Sequence, residues 1–137
     1  MRYKHVFSIC AYKDSPYLEP LIRSLVSQSV PSHIILCTST PSPYIDGLAW
    51  KYETIMVSQW PVYRDDWNFA YEMADGELVT IAHQDDMYHK EYAERLLAAC
   101  RAYPDMTVFT TDYVIVKNGR LITGDAMLWV KRILRLP

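Results

Sequence analysis

The sequence has few glycines, and none where a nucleotide-binding loop would need them. Only four of its 137 residues are glycine, and the turn after the first predicted strand, Ala11-Tyr12-Lys13-Asp14, contains none. The glycine-rich turn of dinucleotide-binding folds and the phosphate-binding P-loop are therefore excluded. A Gly-x-Ser-x-Gly nucleophile elbow is also absent, which argues against a serine hydrolase of the α/β type.

Cysteine and basic charge are scarce as well. The three cysteines, Cys10, Cys37 and Cys100, are scattered through apolar patterns, which predicts buried thiols in a reducing cytosol rather than a disulfide framework. No cysteine has zinc-ligand spacing to His83 or His89, so a zinc site is not expected. The formal net charge is −2, without the clustered basic excess of nucleic-acid-binding proteins, and we expect no nucleic-acid partner.

Long apolar runs are missing too. No uninterrupted apolar run approaches the roughly 18 residues that a membrane span requires. Met1–His5 leads into a predicted strand instead of a secretory hydrophobic segment. We therefore expect a cytoplasmic protein, with peripheral association at the inner face of a membrane as the alternative.

Short apolar runs and amphipathic stretches alternate along the chain. Strands are predicted at residues 6–11, 33–38, 54–57 and 78–82. Helices are predicted from the start signal at 14–16 to residue 26, at 45–52, from 65 to about 76, and at 91–103. This alternation predicts an α/β fold for residues 1–137 as a single domain. Its mostly parallel, Rossmann-like central sheet would be flanked by helices.

The C-terminal third follows a different pattern. Residues 107–110 and 112–116 are predicted as one long strand or as two pieces. Asn118-Gly119 is a type I′ hairpin signal, and residues 120–123 would form the answering strand. Met127 to Leu136 is an apolar and basic segment that suits a helix. Its part from Trp129 to Leu136, together with an uncovered sheet edge, favours self-association.

The most informative motif is His83-Gln84-Asp85-Asp86, which follows the predicted strand 78–82. We expect it at the carboxyl end of a central strand, where open α/β sheets bind ligands. Two adjacent carboxylates there are costly unless a cation meets them. Mg²⁺ or Mn²⁺ carrying a diphosphate is the natural partner. The alternative is that Asp85 or Asp86 caps the helix after His89.

The order of motifs resembles the nucleotide-binding half of family 2 glycosyltransferases of the GT-A fold. The phrases that carry the resemblance are Ala11-Tyr12-Lys13 after the first strand, Ser24-Leu25-Val26-Ser27-Gln28-Ser29, Asn68 eight residues before Gly76, Ala74-Asp75-Gly76-Glu77, and His83-Gln84-Asp85-Asp86 in the place of the Asp-x-Asp metal motif. The resemblance covers essentially the whole chain. It implies a metal-dependent transferase that uses a nucleoside-diphosphate sugar, most readily a UDP-sugar.

Three features depart from that family. The second strand ends in Cys37-Thr38-Ser39-Thr40, without the acidic pair that commonly binds the base in that family. The sequence therefore does not identify the base of the nucleotide. His83 replaces the first Asp of the metal motif. Family members are also roughly twice this size, and the missing part supplies the acceptor site and the catalytic base. We therefore expect an incomplete C-terminus.

The resemblance implies a role for each candidate residue. Asp85 would bind the metal, and Asp86 would bind it or orient Asp85. The nucleotide would meet residues that follow the predicted strands or lie between them, namely Ala11, Tyr12, Lys13, Thr38, Arg64, Asn68 and Gln84. Four of them have a structural alternative: core packing for Tyr12, a solvated charge for Lys13 and Arg64, and a solvent-facing helical position for Asn68.

Two functional hypotheses follow. The first is a glycosyltransferase, or its donor-binding portion, in which the metal neutralises the departing nucleoside diphosphate while an acceptor hydroxyl attacks the anomeric carbon. A glycan or lipid-linked glycan would be the acceptor. The second is a non-catalytic truncated relative that binds nucleotide or acts through protein contacts. No residue of the sequence is identified as the acceptor-side base.

Overall fold

A computed structural model describes residues 3–58 and 65–133. The chain divides into two compact units, Met1–Ala102 and Tyr103–Pro137. The first unit alternates strands and helices: β1 Tyr3–Ala11, α1 Leu18–Val26, β2 His33–Thr38, α2 Pro43–Lys51, β3 Ile55–Ser58, α3 Asp66–Glu72, β4 Gly76–His83 and α4 Tyr92–Ala102. The predicted elements of this unit are confirmed to within a few residues at their ends.

The four strands form one parallel sheet in the order β3-β2-β1-β4. Each strand is followed by a helix, because parallel neighbours need a long crossover connection. The predicted α/β class, with a parallel central sheet flanked by helices, is confirmed.

Helices cover both faces of the sheet. Successive residues of β1 point to opposite sides, and apolar side chains on both sides have to be buried. Phe7, Ile9 and Ala11 pack in one apolar cluster with residues of α1, α2 and α4. Val6 belongs to a second cluster on the other face, where α3 contributes Ala70. β1 therefore lies buried between the two helical layers.

The position of β4 differs from the prediction. Among the described residues β4 pairs only with β1, so it is an edge strand of the sheet, and the predicted central position is wrong. Residues 106–114, part of which was predicted as strand, have no regular secondary structure. Leu78, Val79 and Ile81 are accordingly only half-buried.

The start of α1 also differs from its predicted signal. The helix begins at Leu18, and its N-cap residue Tyr17 makes no side-chain capping bond. Asp14 instead accepts a hydrogen bond from the Ser42 hydroxyl at 2.5 Å. The signal at residues 14–16 thus marks the loop between β1 and α1.

The second unit contains the predicted hairpin and a terminal helix. β5 (Ile115–Lys117) pairs antiparallel with β6 (Arg120–Ile122), and α5 spans Ala126–Ile133. Asn118 and Gly119 have φ values of 50° and 72°, as a type I′ turn requires. The longer predicted strand is wrong because Ile115 already pairs with Ile122, the last residue of β6.

This second unit exposes apolar side chains. Val116, Leu121 and Trp129 are 61%, 68% and 64% exposed. Exposed apolar surface of this kind suits a contact with another molecule, and self-association stays a prediction. Residues 134–136 of the predicted tail lie outside the described part of the chain. No helix within residues 3–58 and 65–133 is long and apolar enough to cross a bilayer.

Candidate functional site

The strand order creates a crevice at one place in the sheet. From β1 the chain moves to β2 and β3 on one side, then returns to β4 on the other side of β1. Such a reversal is where open α/β sheets bind ligands, beyond the carboxyl ends of the strands. Cys10 of β1 is in register with His83 of β4, so the segments that follow both strands lie next to each other.

A cavity of about 450 Å³ occupies this crevice. Three residues predicted for the site line it, namely Tyr12, Gln84 and Asp85. Tyr12 follows β1, and the other two follow β4. The cavity therefore spans the reversal point, and its wall includes residues of both segments that were predicted to bind the nucleotide and the metal.

Two consecutive backbone amides fix the segment after β1. The N–H of Tyr12 donates to Oε1 of Gln84 at 2.9 Å, and the N–H of Lys13 donates to Oγ1 of Thr40 at 2.6 Å. Lys13 adopts a φ of 57°, an uncommon conformation for a residue with a side chain. Its ammonium group lies 5.1 Å from the centre of the Tyr12 ring, so a cation and an aromatic face stand together beside the cavity.

The acidic segment forms a turn directly after β4. The N–H of Asp86 donates to the carbonyl of His83 at 3.1 Å, and the side chain of Asp85 is exposed. Partial burial raises the pKa of the Asp86 carboxyl, and the neighbouring charge of Asp85 raises this pKa further. The pair is thus an electrostatically unfavourable arrangement that a cation would relieve.

Helix capping does not explain this carboxylate pair. The next helix, α4, begins only at Tyr92. An N-cap residue immediately precedes its helix, whereas Asp86 stands six residues earlier in the sequence. The capping alternative for Asp85 and Asp86 is therefore wrong.

The end of α1 supports the loop that carries the acidic pair. The hydroxyl of Ser24 accepts from the N–H of Tyr88 at 3.1 Å. The amide of Gln28 donates to the carbonyl of His89 and accepts from the N–H of Ala93, both at 2.9 Å. The Ser24 to Ser29 phrase that contributed to the resemblance thus holds the connection between β4 and α4 in place.

Helix α3 supplies another part of the cavity wall. Asp65 caps it by accepting from the N–H of Asn68 at 3.1 Å. The next residue, Asp66, accepts a hydrogen bond on Oδ2 from the Ser39 hydroxyl at 3.2 Å. Trp67 packs edge-to-face on His83, with ring centres 4.0 Å apart. This wall therefore combines a fixed carboxylate with an aromatic surface.

The remaining predicted nucleotide contacts have other surroundings. Ala11 and Thr38 are only 2% and 1% exposed, and the Thr38 hydroxyl accepts from the N–H of Thr40 at 3.0 Å. Asn68 is exposed, and its side-chain amide donates to Asp65 at 2.7 Å. None of these three is among the described residues that line the cavity. Arg64 lies outside the described residues.

Sequence reasoning missed most of the cavity wall. The residues not predicted for the site are Cys10, Ser15, Tyr17, Asp66, Trp67 and His83. Asp66 is the first residue of α3, and the next residue, Trp67, is 46% exposed. The available signal was the strand reversal, since it brings the start of α3 beside the ends of β1 and β4.

The cavity is acidic. Asp66 and Asp85 line it, and no lysine or arginine does so among the residues that the structure describes. A diphosphate would be repelled by such a wall unless a cation accompanied it. No group of three or more His, Cys, Asp or Glu side chains in the described chain could hold a metal. Mg²⁺ often uses only one or two carboxylates, with substrate phosphates and waters completing its coordination, and Asp85 and Asp86 fit that pattern.

Two crystal structures of S. aureus TarS have a similar fold. The first matches with a TM-score of 0.68 at 18% identity, over 88% of this chain and 23% of that one. The second, of TarS 1–349, matches with a TM-score of 0.67 at 15% identity, over 83% of this chain and 41% of that one. This chain thus spans less than half the length of either. No protein-family model and no curated protein sequence matches it.

Proposed function

We propose that this chain is the donor-binding portion of a metal-dependent glycosyltransferase of the GT-A type. The observation that carries the proposal is the acidic cavity at the β1/β4 reversal, with Asp85 on its wall. The similar fold of TarS, a glycosyltransferase, supports it. The substrate would be a nucleoside-diphosphate sugar, most readily a UDP-sugar, and the acceptor a glycan or lipid-linked glycan.

Each part of the cavity has a role in this proposal. Asp85, together with the neighbouring Asp86, would hold Mg²⁺ or Mn²⁺, which would neutralise the diphosphate as it leaves. The exposed ring of Tyr12 provides a face for the base or the sugar. Lys13 adds a positive charge near the same ring. The activity would lie in the cytoplasm or at the inner face of a membrane, where a lipid-linked acceptor is met.

Calorimetric titration tests the proposal directly. UDP, GDP and dTDP are titrated into the 137-residue chain with Mg²⁺, with Mn²⁺ and with EDTA. We expect at least one nucleotide to bind in the presence of metal, and binding to weaken about tenfold or more in EDTA. Absence of binding by all three nucleotides in both metals would refute the donor-binding role.

A non-catalytic nucleotide-binding protein is the second candidate. It is favoured because both carboxylates on the described cavity wall have another role, so neither is left to act as the catalytic base. Asp85 would hold the metal, and one oxygen of Asp66 accepts a hydrogen bond from Ser39. Measuring release of the nucleoside diphosphate from its sugar conjugate, with and without acceptor glycans, separates binding from transfer.

A further inference from the structure

The two carboxylates that line the cavity have different surroundings. One oxygen of Asp66 is held by the Ser39 hydroxyl at 3.2 Å, and Ser39 is only 4% exposed. Asp85 is exposed in the turn after β4. A half-buried carboxylate held by a buried hydroxyl has a fixed direction, whereas an exposed one can adjust to a hydrated cation. The two groups are therefore suited to different parts of one ligand.

The surroundings of Asp66 match a flat heterocycle. Trp67, the next residue, exposes 46% of its surface and also lines the cavity. Tyr12, on the wall that follows β1, is 49% exposed. Aromatic rings bind the face of a nucleobase by stacking, and an ionised carboxylate can only accept hydrogen bonds. A base that stacks here and presents an N–H at its edge would satisfy both features.

We infer that Asp66 selects the base of the bound nucleotide by accepting a hydrogen bond from a ring N–H, and that Ser39 positions it. The inference rests on the proposed nucleotide-binding function. Uracil, thymine and guanine carry such an N–H. Cytosine and adenine present an unprotonated ring nitrogen at that edge, whose lone pair faces the carboxylate unfavourably. Discrimination thus comes from a repulsive contact as well as an attractive one.

Asp66 provides the carboxylate that the end of β2 lacks. The segment Thr38-Ser39-Thr40 offers hydroxyl groups and no carboxylate. Ser39, however, reaches across to the first turn of α3 and fixes Asp66 there. A carboxylate distant in sequence thereby joins the cavity beside the end of β2, which explains why local sequence patterns left the nucleotide open.

The test measures base preference rather than affinity alone. UDP, dTDP, GDP, CDP and ADP are titrated with Mg²⁺ into the unaltered chain and into Asp66→Asn, Ser39→Ala and, as the matched control, Asp105→Asn. Asp105 is exposed in the second unit. We expect UDP to bind about tenfold or more tightly than CDP. Asp66→Asn should reduce that ratio to about threefold or less, because an amide both donates and accepts.

Each outcome decides the inference. A UDP-to-CDP ratio unchanged in Asp66→Asn, or a ratio near one in the unaltered chain, overturns it while leaving the proposed function standing. Loss of the metal dependence in Asp66→Asn would make Asp66 a cation ligand and also overturns it. If no nucleotide binds the unaltered chain, both proposals fail. If circular dichroism shows that Asp66→Asn does not fold, Ser39→Ala carries the test. Its UDP-to-CDP affinity ratio should lie between that of the unaltered chain and a ratio of one.

Discussion

The backbone N–H of Tyr12 donates a hydrogen bond to the side-chain Oε1 of Gln84 at 2.9 Å. This bond joins the segments that follow β1 and β4, the two strands on either side of the chain reversal. It holds an exposed aromatic residue beside the acidic turn. Oε1 of Gln84 accepts this bond, and the Nε2 amide group is the donor that Gln84 would offer to a ligand hydroxyl.

Replacing Gln84 should therefore affect binding more than stability. Because the bond to Tyr12 is exposed to solvent, we expect Gln84→Ala to lower the free energy of unfolding by no more than about 1 kcal/mol. Nucleotide affinity should nevertheless fall several-fold, because the group that would donate to the ligand is lost. Gln84→Glu keeps an oxygen acceptor for Tyr12 and should unfold in urea near the midpoint of the unaltered chain. Equal destabilisation by both substitutions would show that the Tyr12 bond is not what Gln84 contributes.

Asp85→Ala should remove the metal dependence of nucleotide binding. We expect affinity in Mg²⁺ to fall about tenfold or more, to the level measured in EDTA, because a direct metal ligand is lost. Glu77→Ala is the matched control, since Glu77 is exposed near the start of β4, whereas Asp85 follows the end of that strand. Calorimetry of both variants with and without metal measures the effect. An equal loss in the two variants would mean that the effect is one of overall charge, and unchanged binding in Asp85→Ala would exclude Asp85 from the site.

The buried His5 should make the fold sensitive to mild acid. His5 is 3% exposed, its ring nitrogens lie 2.8 Å from the hydroxyls of Ser32 and Thr80, and burial lowers its pKa from 6.5 to about 4. Between pH 6.5 and about pH 4, the His5 imidazole is protonated in the unfolded chain and neutral in the folded protein. The His5 contribution to the free energy of unfolding should therefore fall by about 1.4 kcal/mol per pH unit until about pH 4.

Urea unfolding at pH 7, 6 and 5 measures this dependence. His5→Gln should have a shallower slope of stability against pH than the unaltered chain. Ser32→Ala serves as the control, because it removes a partner of His5 but leaves the buried imidazole; it should lower stability at every pH and keep the slope. Identical slopes in His5→Gln and the unaltered chain would contradict the prediction.

Two glycines should respond in opposite directions to the same substitution. A Cβ on Gly76, at the start of β4, would lie 2.7 Å from a methyl group of Val6, so Gly76→Ala should cost about 1–3 kcal/mol through overpacking. Gly47 lies within α2 and would place its Cβ in open space. Gly47→Ala should instead stabilise the chain by about 0.5–1 kcal/mol. Thermal unfolding of both variants checks the pair, and destabilisation by Gly47→Ala would contradict the open helical position of Gly47 in α2.

Local pattern predicted the elements well where one physical signal dominates. Strand β2 matches its predicted bounds because five of its six residues are buried, giving an unbroken apolar run between polar segments. The hairpin follows from Asn118-Gly119, since both residues tolerate positive φ. Strand order is a different matter, because it depends on which long-range pairings form. The edge position of β4 was for that reason mispredicted.

The candidate site was predictable only in part for the same reason. The acidic pair after β4 and Tyr12 after β1 stand next to recognisable strands, so sequence reasoning found them. Asp66 and Trp67 enter the cavity because the fold brings the start of α3 beside those strand ends. Their own neighbourhood in the sequence looks like an ordinary helix start with an acidic first turn. Nothing local distinguishes them.

The last prediction concerns turnover: the 137-residue chain by itself should bind nucleotide and transfer little or no sugar. Transfer needs an oriented acceptor, and orientation alone accounts for roughly 7–11 kcal/mol of barrier lowering. It also needs a base to take the proton of the acceptor hydroxyl. Of the carboxylates on the cavity wall, Asp85 is assigned to the cation and Asp66 to the nucleotide. The similarity to TarS 1–349 covers only 41% of that chain.

Nucleotide release from UDP-, GDP- and dTDP-sugars, measured with metal and with a panel of glycan acceptors, tests this expectation. Asp85→Ala supplies the background rate. Release by the unaltered chain should stay at that background even where calorimetry detects binding. Metal-dependent transfer on the order of 1 per second or faster would contradict the prediction. The base would then lie among residues given other roles here, and His83, on the cavity wall against Trp67, would be the first to replace.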